Sequence, residues 1–426
     1  MRMPHWPMHP WQHRIKYDLE NITKLLEFLG NPHLKLPPVI HITGTNGKGS
    51  STAMLRSIFE AANYKVHTYT SPHLIEFNER IVLAGEKISD PYLFEICERT
   101  RLASINCSIE PTFFEATTAA AFLAFSEVKA DILVLETGIG GRLDATNVIT
   151  KPLITLIAPI SLDHTDYLGT TLPEIAIEKA GIIKPNVPCV ISYQIEEVYK
   201  TLIQKCNELE APAFCYEYDF GINKVENGFI YLSKTLNHTF PTPSLLGDHQ
   251  LINAASVIAT ISLINKEFGI TNRHIANGLQ NTQWSARIQK IDSRKCSHLV
   301  DKHIQIWLDG AHNVGGAQVF SNWARDNLEQ PIYLILGMTK NRNIEEFCSN
   351  FSEFVIKGYG VKVLSEASSY SAKIVSERAK SCNIDFIKAD SLEEALKEIN
   401  NVTKGKAANI LITGSLFLAS DFLKLI

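Results

Sequence analysis

The sequence lacks an excess of charge of either sign. Among its 426 residues, Lys and Arg total 41 and Asp and Glu total 45, which gives a formal net charge of −4. Proteins that bind nucleic acid by neutralising phosphates normally carry a marked basic excess. The composition therefore argues against a nucleic-acid-binding protein.

The sequence also lacks long apolar runs. The longest ones, around residues 132–135 and 153–160, are far shorter than the roughly 20 residues that a membrane-spanning helix needs. Residues 1–14 mix Pro, His and Trp with charged residues and contain no apolar run, so we expect no secretory signal there. These observations predict a soluble protein with no membrane partner.

Paired cysteines are missing as well. The eight cysteines form no Cys-x-x-Cys pair and no tight cluster along the sequence. Free thiols are the usual state in a reducing compartment. We therefore expect a cytoplasmic protein.

What is present is an alternation of strand-length apolar runs with segments of helical period, which predicts an α/β protein with a mostly parallel sheet. Strands are predicted at residues 39–43, 66–70, 132–136 and 153–160, with helices at 50–64 and from Thr171 to Gly181. Short runs and turn residues between 187 and 246 indicate antiparallel hairpins, and a helix follows at 249–265. A second alternation has predicted strands at 303–308, 332–336, 361–364 and 409–413. A polar segment near Asp292 predicts a boundary, with domains at 1–288 and 298–426.

The most informative segment is the glycine-rich stretch that joins the first strand to the first helix. Its backbone N–H groups and Lys48 are suited to a phosphate. Fewer residues separate Gly44 from Gly47 than in the general P-loop, and Gly49 occupies the place where Ser or Thr usually meets magnesium. A tight glycine turn is the alternative, but the strand, lysine and helix together favour nucleotide binding.

Metal ligands would then have to come from elsewhere. Ser71, Glu136 and His164 each follow or close a predicted strand. Ligands of an open parallel sheet bind at the carboxyl ends of its strands. Each residue also has a structural alternative, as a turn residue, a helix cap or a partner of the backbone, but together they predict a metal site.

Further motifs in the same order resemble those of the folylpolyglutamate synthase and dihydrofolate synthase family, which is Mur-ligase-like. The resemblance covers nearly the whole chain and rests on residues 44–50, 71–74, 135–147, 163–169, 178–182, 249–255, 309–313 and 414–415. It implies a P-loop ATPase domain followed by a smaller, Rossmann-like glutamate-ligase domain.

The resemblance also implies an activity, that of an ATP-dependent carboxylate–amine ligase. ATP would convert the carboxylate of dihydropteroate, or the γ-carboxylate of a reduced folate, into an acyl phosphate. The amine of L-glutamate would then displace the phosphate. The expected cofactor is Mg²⁺, with two sites, and the expected oligomeric state is a monomer.

The resemblance assigns roles to individual residues. The residues expected to bind ATP are Thr45, Asn46, Gly47, Lys48, Gly49, Ser50, Asn253, Arg287 and Asp309. Lys48 and His312 are expected to be catalytic, and His312 and Ser415 to lie near the incoming glutamate, although Ser415 is an equally good helix cap. Arg287 follows Ser285-Ala286, where the family usually has Pro-Gly.

Two segments match the family's pterin site, and both lie in the first predicted domain. They consist of Thr112, Phe113, Phe114 and Glu115, and of Leu143, Asp144 and Ala145. An aromatic ring can stack on the flat pterin, and Asp144 can accept hydrogen bonds from it. Thr112 and Glu115 also form a capping box, and the phenylalanines could be core residues, but the two roles are compatible.

The metal ligands implied by the resemblance are Ser71, Glu136, His164 and Lys179, the last as a carbamate formed with carbon dioxide. From the residues alone, Lys179 is better explained as a surface lysine paired with Glu174 or Glu178.

Two other functions compete with the folate ligase. A ligase that adds amino acids to a UDP-muramoyl cell-wall precursor would use a similar loop, but we expect it to carry a further domain ahead of Gly44. A nucleotide switch would not require Asp309 and His312. Whether the chain makes dihydrofolate, extends folates or does both stays open, and the pterin-site match favours both.

Overall fold

The computed structural model describes residues 18–340 and 342–426. Residues 1–14, where we expect no secretory signal, lie outside this range. The described chain forms two compact units. The first runs to Ser244 and includes Gln250–Gln283, and the second comprises Leu245–His249 and Trp284–Ile426. The domain limits 1–288 and 298–426 stay a prediction.

The first unit is built on a large sheet. Its strands are β1 Val39–Thr43, β2 Val66–Tyr69, β3 Ile81–Leu83, β4 Glu86–Lys87, β5 Ile132–Glu136, β6 Ile154–Ile157, β7 Cys189–Ile191 and β8 Ala213–Cys215. In the described residues their order is β4-β3-β2-β5-β1-β6-β7-β8, and all pairs from β2 to β8 are parallel. Every residue of β1 and β5 is buried, as expected of parallel strands that are covered on both faces.

Helices surround this sheet. They are α1 Glu20–Phe28, α2 Lys48–Ala61, α3 Asp90–Asn106, α4 Phe113–Glu127, α5 Thr165–Leu168, α6 Leu172–Ala180, α7 Glu196–Glu208, α8 Asp248–Phe268 and α9 Asn272–Asn281. A separate antiparallel sheet contains β9 Phe220–Val225, β10 Gly228–Ser233 and β11 Asn237–Pro241. Alanine-rich α4 is apolar nearly all round and packs into the core beside β5.

The strand register brings several strand ends to one edge of the large sheet. Tyr69 lies opposite Leu135, and Ile42 lies opposite Glu136. On the other side of β1, Thr43 lies opposite Ile157. The segments that leave β2, β5, β1 and β6 therefore start level with one another.

The second unit has its own mixed sheet. Its strands are β12 Gln289–Lys290, β13 Ile304–Leu308, β14 Ile332–Leu336, β15 Val355–Gly360, β16 Phe386–Lys388 and β17 Ala408–Thr413. In the described residues their order is β12-β13-β17-β14-β15-β16, and only the β12–β13 pair is antiparallel. The helices are α10 Val314–Asn327, α11 Ile344–Cys348, α12 Ala372–Ala379, α13 Leu392–Thr403 and α14 Leu416–Leu425.

Short 3₁₀ helices complete the description of the two units. They lie at Pro32–Leu34, Phe77–Arg80, Ala145–Val148, Ser293–Cys296, Ser349–Phe351 and Lys380–Cys382. Over residues 18–340 and 342–426, the chain forms no helix with the length and apolar character that a bilayer crossing requires.

The α/β class with a mostly parallel sheet is confirmed, but two local predictions were wrong. Residues 361–364 are not a strand: β15 precedes them, and Leu364 is 74% exposed. Hairpins begin only at β9, because α7 and β8 continue the parallel pattern before it. The apolar side of α7, formed by Val198, Leu202 and Cys206, has helical spacing.

Candidate functional site

The glycine-rich loop connects β1 to α2 and fits closely against its neighbours. Gly44 has a φ of +146°, and a Cβ there would lie 2.7 Å from the Cβ of Ala158. Gly47 has a φ of +90°, and a Cβ there would lie 2.6 Å from Oδ1 of Asn253. Both positions therefore require glycine, and Asn253 on α8 lies directly against the loop.

Hydrogen bonds fix the first half of this loop. The backbone N–H groups of Thr45 and Asn46 donate to the carbonyl of Pro159, at 2.9 and 3.2 Å. The hydroxyl of Thr45 donates to the Ser161 carbonyl and accepts from the Ser161 N–H, both at 3.1 Å. Because these two amides are engaged, the amides that begin α2 are the better phosphate donors, since first-turn N–H groups have no acceptor within the helix.

The side chains around the start of α2 form a small polar network. Ser50 is buried, and its Oγ accepts a hydrogen bond from Nε2 of Gln250 at 3.3 Å. Asn253 donates to Oε1 of Gln250 at 3.0 Å. The structure thus brings Asn253 to the loop as expected, and its contact with ATP stays a prediction.

Two lysines approach the same carbonyl oxygen of the loop. Nζ of Lys48 donates to the oxygens of Gly44 and Thr45 at 3.1 and 3.3 Å, and Nζ of Lys179 donates to that of Gly44 at 2.8 Å. Lys179 is only 4% exposed. Burial first, and then the charge of Lys48, lower the pKa of Lys179 to about 7.

The alternative of a surface Lys179 paired with a glutamate is wrong. Glu178 instead pairs with Arg142 at 2.8 Å. The carboxylate of Glu174 accepts from the backbone N–H groups at the start of α6, at 2.8 and 3.0 Å. Lys179 is therefore a buried amine beside the phosphate loop.

The three residues expected to bind metal lie after neighbouring strands. Glu136 closes β5 and is 3% exposed. His164 caps α5 with a φ of +50°, and its side chain is 35% exposed. Ser71 follows β2, and its Oγ is buried without a hydrogen-bond partner among the described residues. A buried hydroxyl of this kind is suited to a ligand.

Across residues 18–340 and 342–426, no group of three or more His, Cys, Asp or Glu side chains is arranged to hold a metal ion. The expected ligands are of a different kind, because a hydroxyl and a modified lysine accompany Glu136 and His164. Their role stays a prediction.

The first predicted pterin segment begins α4. Thr112 and Glu115 form the capping box, with bonds of 3.2 and 2.8 Å, so this structural role is confirmed. Phe113 makes an edge contact with Phe77 at 6.1 Å. A Cβ on Gly138 would lie 2.5 Å from the ring of Phe114, so this ring supports the segment that follows β5.

The second predicted pterin segment is held by Asp144. One carboxylate oxygen accepts from the N–H groups of Gly138 and Ile139 at 2.8 and 3.0 Å. The other accepts from the N–H and hydroxyl of Thr146 at 3.0 and 2.5 Å. These four bonds use the acceptor capacity of the carboxylate, so Asp144 shapes the segment, and a direct pterin contact stays a prediction. Leu143 is half-buried and Ala145 is buried.

Sequence analysis missed Arg80. This arginine is 7% exposed and lies over the rings of Phe77 and Phe113, at 5.5 and 5.4 Å from their centroids. Its Nε donates to Nδ1 of His73 at 2.9 Å. No motif or spacing in the sequence distinguishes this arginine from one at the surface.

In the second unit, the predicted residues follow β13. Asp309 accepts from the N–H groups of Ile288 and Ala311, both at 2.8 Å, and burial raises its pKa. Arg287 donates to the carbonyl of Ala286 at 2.7 Å. Ala286 has a φ of +55°, so alanine adopts here the left-handed conformation that glycine favours.

His312 and Ser415 lie at the same edge of this sheet, because β13 and β17 are parallel neighbours. Nδ1 of His312 lies 3.0 Å from the carbonyl oxygen of Gly310. Ser415 caps α14, and its hydroxyl accepts from the N–H of Leu418 at 3.0 Å, which confirms the capping role. Roles in binding glutamate stay predictions.

Comparisons with known proteins agree with this architecture. The family model of the Mur ligase middle domain matches residues 42–261, and that of the dihydrofolate synthetase C-terminal domain matches residues 289–425. The chain is 32% identical to the dihydrofolate synthase/folylpolyglutamate synthase of Bacillus subtilis (strain 168), over 96% of this chain and 95% of that protein.

Solved structures resemble the chain over nearly its full length. E. coli FolC in complex with DHPP and ADP has a TM-score of 0.85 at 24% identity, covers 97% of this chain and 94% of its own, and supports the fold. A bifunctional folylpolyglutamate synthase/dihydrofolate synthase with Mn, AMPPNP and L-glutamate bound has a TM-score of 0.83 at 25% identity, and covers 97% and 95%.

These relatives favour a folate ligase over a cell-wall precursor ligase. The similarity to the Bacillus enzyme covers 96% of this chain and therefore extends through both units. The chain belongs to the folylpolyglutamate synthase and dihydrofolate synthase family of ATP-dependent ligases.

Proposed function

We propose that this chain joins L-glutamate to the carboxylate of dihydropteroate, and also to the γ-carboxylate of reduced folates, at the cost of ATP. The observation that carries the proposal is the pair of lysines on the Gly44 carbonyl, at the sheet edge where Glu136 ends β5. The bifunctional name of the Bacillus relative supports both activities.

The chemistry needs an activated acid. A carboxylate is a poor acyl donor until one oxygen becomes part of a phosphate leaving group, and phosphoryl transfer depends on positioning and charge neutralisation. Residues Thr45 to Ser50 hold the triphosphate through the first amides of α2 and the ammonium of Lys48. The side chain of Asn253 packs against this loop at Gly47.

Magnesium fits the residues at the strand ends. Ser71, Glu136, His164 and Lys179 as a carbamate would hold Mg²⁺ at two sites, where it would neutralise phosphate charge. The buried hydroxyl of Ser71 is consistent with a ligand. Carbamate formation requires a neutral amine, and the pKa of about 7 makes that form of Lys179 available near neutrality.

The acceptor acid lies along two segments of the first unit. Phe113 and Phe114 offer aromatic faces, and residues Leu143 to Ala145 form the opposite part of the pterin site. Flat conjugated rings stack favourably on such side chains. The structure of a relative with DHPP supports a pterin ligand for this fold.

Residues of the second unit complete the assignment. Arg287 and Asp309 contact ATP, and His312 acts on the incoming L-glutamate. The relative solved with AMPPNP and L-glutamate supports this pair of ligands. We also propose that the protein acts as a monomer in the cytoplasm.

The test is phosphate release by the purified protein with ATP and Mg²⁺. Release should require both an acid and L-glutamate, with dihydropteroate and then tetrahydrofolate as the sole acid. Turnover with both acids supports the bifunctional form, and turnover with one assigns a single activity. Phosphate release with a UDP-muramoyl precursor, and with neither folate acid, would contradict the proposal.

A further inference from the structure

Strand β1 carries two polar side chains that bind the segment after β5. Nε2 of His41 lies 2.9 Å from Oγ1 of Thr146. The hydroxyl of Thr43 donates to the carbonyl of Gly140 at 2.6 Å and accepts from Thr137 at 3.0 Å. Because residues two apart on a strand share a face, β1 holds this segment at two points while its own end continues into the phosphate loop.

The direction of the hydrogen bonds can be assigned. The hydroxyl of Thr146 donates to Oδ1 of Asp144 at 2.5 Å, so it must accept from Nε2–H of His41. His41 is fully buried, and burial lowers its pKa to about 3, so the imidazole is neutral. In the part of the chain that the structure describes, its Nδ1 has no hydrogen-bond partner.

The chain of bonds ends at the predicted pterin segment. Asp144 holds the N–H groups of Gly138 and Ile139, and Gly138 lies against the ring of Phe114. One buried histidine therefore helps, through one hydroxyl, to orient the carboxylate that shapes this segment. No part of the chain of bonds reaches the phosphate loop directly.

We propose that His41 is a positioning residue for the acceptor acid: through Thr146 and Asp144, it fixes residues 138–145 in the conformation that receives the pterin-linked substrate. This inference rests on the proposed function. A histidine that only fills the core would affect stability, whereas a positioning histidine also sets the affinity for the acceptor acid and leaves the affinity for ATP unchanged.

The experiment compares two pairs of variants in the full-length protein. His41→Leu and Thr146→Val interrupt the hydrogen bonds, while His41→Gln and Thr146→Ser keep a donor and a hydroxyl in place. The matched control is His67→Leu, because His67 is equally buried on β2 but bonds to Val128 and Ala84. The readouts are KM for the acceptor, KM for ATP and the melting temperature.

We expect His41→Leu and Thr146→Val to raise KM for the acceptor about tenfold, the effect of losing a hydrogen bond that supports a buried charge. KM for ATP should stay constant, and the Gln and Ser variants should restore the acceptor KM. His67→Leu should lower the melting temperature without changing either KM. If His41→Leu does not fold, the comparison of Thr146→Val with Thr146→Ser tests the proposal.

Two results would overturn the inference. One is an acceptor KM that is the same in Thr146→Val as in the active wild type. An acceptor KM that rises as much in His67→Leu as in His41→Leu would have the same meaning. The other is a parallel rise in both KM values, which would indicate a general loss of structure. A wild type that ligates neither acid would instead contradict the proposed function itself, so the two failures are distinguishable.

Discussion

At the scale of single residues, the carbonyl oxygen of Gly44 accepts from two ammonium groups, those of Lys48 and Lys179. Two positive charges in one buried place repel each other, and the more deeply buried group loses its proton more readily. Lys179 is that group, with its pKa lowered to about 7. Burial and the charge of Lys48 outweigh the opposing effect of Asp163 and Asp144, so the geometry supplies a neutral amine near neutral pH.

This shifted pKa predicts how stability depends on pH in CO₂-free buffer. The unfolded chain holds the Lys179 proton up to about 10.5 and the folded chain only to about 7, so the unfolded state binds more protons between these values. Unfolding free energy should therefore rise with pH across this window, by a few kcal/mol. Urea melts at successive pH values measure the slope. Lys179→Met should flatten it, and an unchanged slope would contradict the assignment.

Lys48→Ala tests the other ammonium. Because a single charged contact with the transferred phosphate is worth several kcal/mol, we expect phosphate release to fall by at least about a hundredfold. Folding should survive, since the hydrogen bonds that Lys48 makes in the described residues go to loop carbonyls. The control is Lys200→Ala on the exposed side of α7, where Lys200 pairs with Glu196. Equal turnover in both variants would remove Lys48 from the mechanism.

Ala286 offers a stability test at a buried position with left-handed backbone. Its φ of +55° strains a residue that has a Cβ, by about 1 kcal/mol. Ala286→Gly removes the strain but increases the conformational entropy of the unfolded chain. We therefore expect the unfolding free energy to change by between zero and about +1 kcal/mol. Ala103→Gly, within α3, should instead lose about 1 kcal/mol. Thermal melts of both variants measure these changes. An equal loss of unfolding free energy in the two variants would show that Ala286 is unstrained.

At the scale of elements, the sequence predicts best where a strand is a continuous apolar run. The predicted bounds 39–43, 132–136 and 332–336 are those of β1, β5 and β14. β15 escaped prediction because it contains two glycines. One of them, Gly358, packs where a Cβ would lie 2.4 Å from the ring of Phe386, so tertiary packing outweighs the low strand propensity.

The first residues of α4 contain both a helix cap, Thr112, and part of the predicted pterin site. Thr112→Ala removes the cap and should cost about 1 kcal/mol of unfolding free energy. It should also raise KM for dihydropteroate, because Phe113 and Phe114 lie in the first turn. Thr112→Ser keeps the cap and should behave like the wild type.

The matched control for this cap is in the second unit. Ser391 caps α13, and its hydroxyl accepts a hydrogen bond from the backbone N–H of Glu394 at 3.0 Å. Ser391→Ala should lower the melting temperature to a similar degree without changing KM. A Thr112→Ala enzyme with normal KM would limit Thr112 to its structural role.

At the scale of the whole molecule, the sequence points most directly to candidate residues that lie within a contiguous motif. Lys48 and Asp309 follow strands and Glu136 closes one, so the topology of a parallel sheet predicts that they lie at a ligand-binding edge. The positioning role proposed for His41 and the burial of Arg80 over two aromatic rings could not be predicted. His41 meets Thr146 across 105 positions, and a buried histidine within a strand has the same pattern as any core residue.

Ligand binding should be visible in the stability of the whole protein. A ligand that binds only the folded state raises the melting temperature with its concentration. We expect AMPPNP with Mg²⁺ to raise the melting temperature of the wild type, and to raise that of Lys48→Ala much less. Differential scanning fluorimetry over a series of concentrations measures both. An equal shift in the two proteins would place the nucleotide away from the glycine-rich loop.

The level strand ends have a consequence for the order of events during synthesis. The segments after β1, β2, β5 and β6 meet at one edge, yet they leave the ribosome as separate pieces, with β6 ending at Ile157. Parallel pairing across such distances is slow, because the entropy of closing long loops is lost before the stabilising contacts between the strands form. A nascent chain therefore has no nucleotide site until β6 has paired with β1. Nucleotide binding by ribosome-stalled chains of increasing length would show at which chain length this sheet edge is complete.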